Sequence, residues 1–320
     1  MTTSDVDLAG ELARRLGRKH PVAAVATISP SGTRTAVVGA ATDAGFEIGS
    51  ISKGITGLLY VDACERGELT PETTLGELLP LGDTAAGTVT VGSVSTHTSG
   101  LPRLPPDAHA LRRTVDLWRH GTNPYGESVE VLMDQARRVR LSAPKPRYSN
   151  LGFELLGHAV ANAAGMTYPR LLAERLTAPV GLASMYAPTR PSELRPTAVA
   201  GTSRGGRVVQ PWTGAGIAPA GGIRSSIGDM ARLAGSLLDG SAPGGGALDP
   251  VRNFSGGMRI GAAWLTLDLR GRLITWHNGG TGGFRSYLAL DRRARTAVVL
   301  LSATSRPVDG HGFRMLQSLG

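Results

Sequence analysis

Phe284-Arg285-Ser286-Tyr287-Leu288-Ala289-Leu290-Asp291 and Thr296-Ala297-Val298-Val299-Leu300-Leu301-Ser302-Ala303-Thr304 are strand-length runs joined by a short polar turn, Arg292-Arg293-Ala294-Arg295. That spacing predicts an antiparallel pair. Working outward, Gly261–Leu269 and Leu273–His277 are two further strand candidates separated by Arg270-Gly271-Arg272, and a helical pattern runs from Ser226 to Leu238 before them. At the other end of the chain, Val22–Ser29 and Thr35–Ala41 form a hairpin around Pro30-Ser31-Gly32, after an amphipathic helix over residues 6–17. Between these ends, residues from about 68 to 215 are mostly helical or irregular. Helical patterns fall at 127–138, 151–165 and 168–176, and Pro-rich loops at 102–106 and 144–146. The expected fold is therefore α/β of the α+β type, with one antiparallel sheet of about five strands built from both termini and flanked by helices. The expected division is a sheet subdomain of residues 1–57 and 216–320, a helical insertion of residues 58–215, and a functional site between them.

The chain has 320 residues, 41% of them hydrophobic, with 44 glycines and 20 prolines that show no three-residue period. It is long enough for a sizeable core and is neither collagen-like nor a charged disordered segment. Its net charge of +9 comes from 34 basic and 25 acidic residues, and only Lys19, Lys53 and Lys145 of the 34 are lysines. The other 31 are arginines, interspersed with acidic residues, and aromatic residues make up only 5% of the chain, a pattern that disfavours nucleic-acid binding. Arginine replaces lysine on a solvated surface at little cost but cannot serve where a proton must be lost, so each lysine is informative. The single cysteine, Cys64, lies in an apolar helical stretch and reads as a core thiol; no disulfide within the chain and no thiolate metal cluster can form. No His-Glu-x-x-His cluster suggests a metal, and no cofactor motif is present. Residues 1–16 lack the pattern of a secretory signal, and no apolar run approaches a membrane span, so the expected compartment is cytoplasmic.

Gly49-Ser50-Ile51-Ser52-Lys53 opens a helix expected from about Ser50 to Arg66. Positions three apart share a helix face, so the Lys53 amine can reach the Ser50 hydroxyl. A serine hydroxyl is a poor nucleophile until a neighbour takes its proton, which a desolvated lysine can do. The helix N-terminus also favours negative charge developing at Ser50. By itself a Ser-x-x-Lys spacing arises often by chance, and Ser52 at a helix start could equally act as a cap.

Two further segments join the first. Arg147-Tyr148-Ser149-Asn150, followed by Leu151-Gly152-Phe153-Glu154, resembles the Tyr-x-Asn motif of class C β-lactamases, D-Ala-D-Ala carboxypeptidases and related serine esterases. Trp276-His277-Asn278-Gly279-Gly280 resembles their third motif, Lys-Thr-Gly in the lactamases and His-x-Gly in many esterase and peptidase relatives. The motifs stand in the family order, and Thr96–Pro102 and Pro219–Ser226 with Asp229 add supporting matches, so that the resemblance covers residues 20–305. It implies a β-lactamase/transpeptidase-like fold and a serine hydrolase that forms an acyl-serine on a small-molecule ester, thioester or amide. Ser50 would be the nucleophile, and Lys53 and Tyr148 the proton carriers. Asn150 and His277 would orient the substrate, and the backbone amides of Ser50 and Gly280 would form the oxyanion hole, with Gly279 allowing close backbone approach.

His277 replaces the charged lysine of the lactamases, which weakens the case for a carboxylate-bearing substrate. Asn150 is equally placed to cap the helix that follows it. Arg285 is a lesser candidate for a substrate anion, His97 reads as a loop-fixing histidine, and Lys145 as a solvated loop charge. An acyltransferase or peptide cyclase using the same acyl-serine, and a non-catalytic ligand sensor or scaffold, are the rival readings. Oligomeric state is not legible in the sequence.

Overall fold

The computed structural model describes residues 4–105, 115–117 and 119–319. Its main sheet has eight strands: β1 (Ala23–Ser29), β2 (Gly32–Val38), β5 (Arg252–Asn253), β6 (Arg259–Ile260), β7 (Leu265–Leu269), β8 (Arg272–Gly280), β9 (Arg285–Asp291) and β10 (Thr296–Ser302). The spatial order is β2-β1-β10-β9-β8-β7-β6-β5, every pairing antiparallel, so the N-terminal hairpin joins the C-terminal strands through β1 and β10. A separate pair, β3 (Phe46–Glu47) with β4 (Arg224–Ser225), closes the sheet side of the site. Six helices of nine residues or more lie among the described residues: α1 (Val6–Leu16), α2 (Ile51–Glu65), α3 (Val129–Arg137), α4 (Asn150–Ala163), α5 (Ile227–Asp239) and α6 (Asp309–Gln317).

The apolar run in β10 is continuous because both sheet faces are covered. Val298 and Leu300 pack with Leu8, Leu12 and Leu16 of α1 and Met315 of α6, while Ala297, Val299 and Leu301 join the larger core on the side of α2 and α5. Each of these side chains is fully buried or nearly so. Truncating Leu300 to alanine would cost about 2–5 kcal/mol in lost transfer energy and cavity formation. Asp5 starts α1: its Oδ1 accepts from the Leu8 amide at 2.9 Å, and its carboxylate pairs with Arg34 of β2.

α2 is buried on nearly every side, which is why its sequence is apolar without a clear amphipathic stripe. Gly54 and Gly57 permit this. A methyl group on Gly54 would stand 2.8 Å from the Trp264 indole, and one on Gly57 would stand 2.2 Å from the Ala262 carbonyl oxygen. On its other side α2 meets α4 and the short helical turn Ala218–Gly221, held by Thr56 Oγ1, which donates to the Pro219 carbonyl at 2.7 Å.

The sheet exceeds the expected five strands. β5 and β6 are two residues each and partly exposed, with no alternating pattern to mark them, and they pair around the turn Ser255-Gly256-Gly257. The expected strand 261–269 forms only from Leu265, after an irregular Gly261-Ala262-Ala263 in which Ala263 has φ +69°. β8 runs past the expected strand end at His277 through Asn278, Gly279 and Gly280, because these residues pair with Tyr287, Ser286 and Arg285 of β9. The expected helices at 127–138, 151–165 and 226–238 are present within two residues, and the one at 168–176 is Tyr168–Leu172 followed by a wider turn over Ala173–Thr177. Pro106, at the end of the expected Pro-rich loop, lies outside the described residues. No helix among the described residues is long and apolar enough to cross a membrane.

Candidate active site

Ser50 stands at the junction between β3 and α2. Gly49, with φ +53°, turns the chain out of the extended segment, and Ser50 takes helical angles as the residue preceding Ile51. Lys53, one turn on, is 1% exposed. Its Nζ donates to Ser50 Oγ at 3.1 Å and to the Ala220 carbonyl oxygen at 2.6 Å. Ser52 is not a helix cap; its Oγ accepts from the Ile223 amide at 3.2 Å and ties α2 to the segment leading into β4. That segment is fixed in turn by the fully buried Arg224–Glu47 pair at 2.9 Å, in which Glu47 also accepts from the Trp212 amide.

The third motif closes on Ser50 from the sheet. Ser286 Oγ donates to the Ile48 carbonyl at 2.6 Å, drawing β9 against the chain just before Ser50. A methyl group on Gly279 would stand 2.0 Å from the Ile48 carbonyl oxygen and 2.9 Å from the Ser50 amide nitrogen; one on Gly49 would stand 2.5 Å from the Gly280 nitrogen. Only glycine fits either position, and their absent side chains bring the Ser50 and Gly280 amides into one small space.

Tyr148 and Asn150 come from the start of α4. The cap of α4 is Ser149, whose Oγ accepts from the Gly152 amide at 2.9 Å, so the Asn150 side chain is released from capping. Its Nδ2 donates to the Tyr125 hydroxyl at 3.4 Å and the residue faces the cleft. Lys53 Nζ lies 4.9 Å from the Tyr148 ring centroid and the Arg103 guanidinium 5.9 Å, so the phenol is flanked by the lysine amine and the guanidinium. His97 is buried beneath it, with ring centroids 4.6 Å apart. Its Nδ1 accepts from the Ser149 amide at 3.2 Å and its carbonyl accepts from the Arg147 amide at 2.8 Å, so the ring clamps the loop carrying Tyr148. Burial, with Lys53 and His277 adding to it, holds His97 well below the ordinary histidine range.

His277 lies on the buried face of β8, edge-on to Trp264, with Nδ1 2.7 Å from the Asn278 carbonyl oxygen. Burial is the main reason it is pushed down to about 4; the Asn278 carbonyl opposes this and Lys53 reinforces it. The ring is therefore neutral at pH 7. Positive charge enters the cleft elsewhere: Ser50, Lys53, Tyr148, Asn150, Gly279 and Gly280 line a cavity of about 1000 Å³ whose walls also carry Arg103, Arg204, Arg207 and Arg285, with Asp309 as the counter-charge. Arg285 Nη1 donates to the Thr281 and Phe284 carbonyls and braces the turn after β8. Among the described residues, no group of three or more metal-ligating side chains occurs.

All the residues singled out in the three motifs except His277 line one cleft, and His277 is buried on the strand that brings Gly279 and Gly280 to it. Sequence reasoning missed the Ala220 carbonyl, Tyr125, Trp212 and Glu154. The carbonyl carries no sequence signal, and the two aromatics sit in irregular segments. Glu154 did carry one, being an acidic residue inside an otherwise apolar helix.

A family model described as Beta-lactamase matches residues 11–316. The chain is 32% identical, over 59% of its length, to the D-alanyl-D-alanine-carboxypeptidase/endopeptidase AmpH of Escherichia coli strain K12, of which the match covers 48%. The chain thus spans about half the length of that relative. It is 28% identical to Penicillin-binding protein 4 of Amycolatopsis lactamdurans over 85% of this chain and 74% of that one. A solved β-lactamase/D-alanine carboxypeptidase from Pseudomonas syringae superposes with a TM-score of 0.83 over 98% of this chain and 99% of its own, at 21% identity. With the family match spanning almost the whole chain and the fold shared from end to end, the chain belongs to the β-lactamase family of serine hydrolases and penicillin-binding proteins.

Proposed function

We propose that the chain is a serine hydrolase acting on an ester, thioester or amide of a small molecule through an acyl-serine intermediate. The observation that carries this reading is the buried Lys53 amine 3.1 Å from the Ser50 hydroxyl, at the floor of an open cleft. In the proposed reaction Ser50 Oγ bonds to the substrate carbonyl carbon as its proton passes to Lys53, with Tyr148 relaying a proton to the departing group. The carbonyl oxygen, now negative, is held by the amides of Ser50 and Gly280, each such donor contributing on the order of 3 kcal/mol to the transition state. The carbon–leaving-group bond then breaks, and water attacks the acyl-serine to release the acid. Asn150 and the rim arginines orient the substrate. We propose further that the two subdomains, residues 1–57 with 216–320 and residues 58–215, meet at this cleft, α2 passing from one to the other.

Turnover of a panel of p-nitrophenyl esters, a chromogenic cephalosporin and a D-amino-acid amide, with and without an amine acceptor, tests the reading. Ser50→Ala should remove all turnover and labelling by an activated phosphonate. Unchanged esterase activity in that variant would refute the assignment, and acyl transfer in excess of hydrolysis would favour a transferase.

A further inference from the structure

One helical turn beyond Asn150, on the same face of α4, Glu154 lines a second cavity of about 310 Å³. This cavity is continuous with the main cleft: Arg103, Leu117, Tyr125, Trp212 and Ile217 line both. Among the described residues its lining carries two carboxyl groups, Glu127 and Glu154, and one cation, Arg103. Glu154 is 4% exposed, and its Oε1 is buried without a hydrogen-bond partner. Gln135 Nε2 donates to Glu127 Oε1 at 2.9 Å. A carboxylate only accepts, so this bond fixes the amide and leaves Gln135 Oε1 as a second buried acceptor without a partner. Glu127 adds a second acidic side chain to the wall. Tyr125 and Trp212, with ring centroids 4.6 Å apart at 61°, supply an aromatic wall of the kind that attracts a cation. Arg103, which lines both cavities, has its guanidinium 5.9 Å from the Tyr148 ring centroid.

A space walled by Glu154, Glu127 and Gln135 with Tyr125 and Trp212 beside them suits a positively charged donor, which carboxylates and aromatic faces both attract. We infer that this cavity receives the ammonium group of an amine-bearing substrate whose carbonyl stands at Ser50. The inference rests on the acyl-serine reading above for the position of the carbonyl, but the ammonium site is a binding claim that stands apart from it. Burial pushes the empty Glu154 carboxyl up to about 8, against the pull of Lys53 and with Glu127 adding to the rise. An entering ammonium group would return it to the carboxylate.

Binding and turnover together test this. Titration calorimetry of the full chain with pentylammonium chloride should show binding that pentan-1-ol does not, weakened by roughly 10- to 100-fold in Glu154→Gln and also weakened in Gln135→Leu. In turnover, p-nitrophenyl 6-aminohexanoate is compared with p-nitrophenyl heptanoate for an ammonium on the acyl side, and 5-aminopentyl acetate with hexyl acetate for one on the leaving group. In one pair the ammonium member should be preferred at least tenfold in kcat/KM, and Glu154→Gln should erase that preference. Failure of pentylammonium to bind the wild-type chain overturns the inference, as does a preference that Glu154→Gln leaves intact. Pentylammonium binding with no turnover of any ester would leave the ammonium site standing and refute the acyl-serine reading.

Discussion

Replacing Glu154 by glutamine should flatten the pH dependence of stability. An ordinary glutamate titrates near 4.5, and burial holds this one near 8, so the native chain keeps a proton that the unfolded chain releases. The sign follows. The contribution is fully present below about pH 4.5 and is lost as pH rises through about 8. The gap between the two values corresponds to on the order of 5 kcal/mol, a large share of the 5–15 kcal/mol that holds a typical domain together. Glutamine has nearly the same shape and stays neutral throughout, so it avoids the cost of ionising at a buried position. Thermal unfolding in phosphate and borate, buffers free of amines, should show the melting temperature of the wild-type chain falling relative to Glu154→Gln by roughly 5–10 °C between pH 5 and pH 9. Parallel melting curves for the two chains across that range would show that Glu154 is ionised without penalty and refute the reasoning.

Lys53→Arg keeps a cation but crowds a site with 1% exposure and two close acceptors, and its guanidinium does not release a proton; esterase turnover should fall at least about 1000-fold, and retention within tenfold would exclude Lys53 as the base. Gly279→Ala would place a methyl 2.0 Å from the Ile48 carbonyl oxygen and force the Ser50 and Gly280 amides apart, so kcat should fall about 100- to 1000-fold while the far-ultraviolet circular dichroism stays that of the wild-type chain. His277, held near 4, is neutral from pH 5 upward and binds its proton only below that range, so it should add no limb to the kcat/KM profile between pH 5 and 8. A wild-type limb near pH 6.5 that vanished in His277→Asn would contradict its burial.

The long strands and helices were legible because their signals are local. β9, β10 and the first hairpin carry branched, apolar runs bounded by turn residues, and α4 and α5 begin at Ser149 and Ser226, serines whose side chains cap them. What escaped was decided by tertiary contact. The glycines of β8 lay beyond the expected end of the strand at His277 because glycine weakens a strand, yet here the missing side chains let a strand lie against the backbone at Ser50. The two-residue strands β5 and β6 have no periodicity to detect. In the cleft, the residues that form the spaced motifs could be found from sequence. Tyr125 and Trp212 could not, since nothing in their own segments says that they meet Asn150 and Glu154 across the cavities.

The lysine count gains a physical reason from the structure. Lys19 and Lys145 are exposed, and an arginine would serve at either place, so they carry no argument. Lys53 is different, because its amine is enclosed between the Ser50 hydroxyl and the Ala220 carbonyl with almost no access to water. A planar guanidinium spreads five donors over a fork, and two acceptors 2.6 and 3.1 Å from one nitrogen suit a compact ammonium better. In a chain that uses arginine for nearly every other cation, steric fit favours lysine at this one buried position. His277, neutral and buried, and the arginines that line the cleft thus differ in kind: the histidine packs without charge, and the positive side chains stand in the cleft wall.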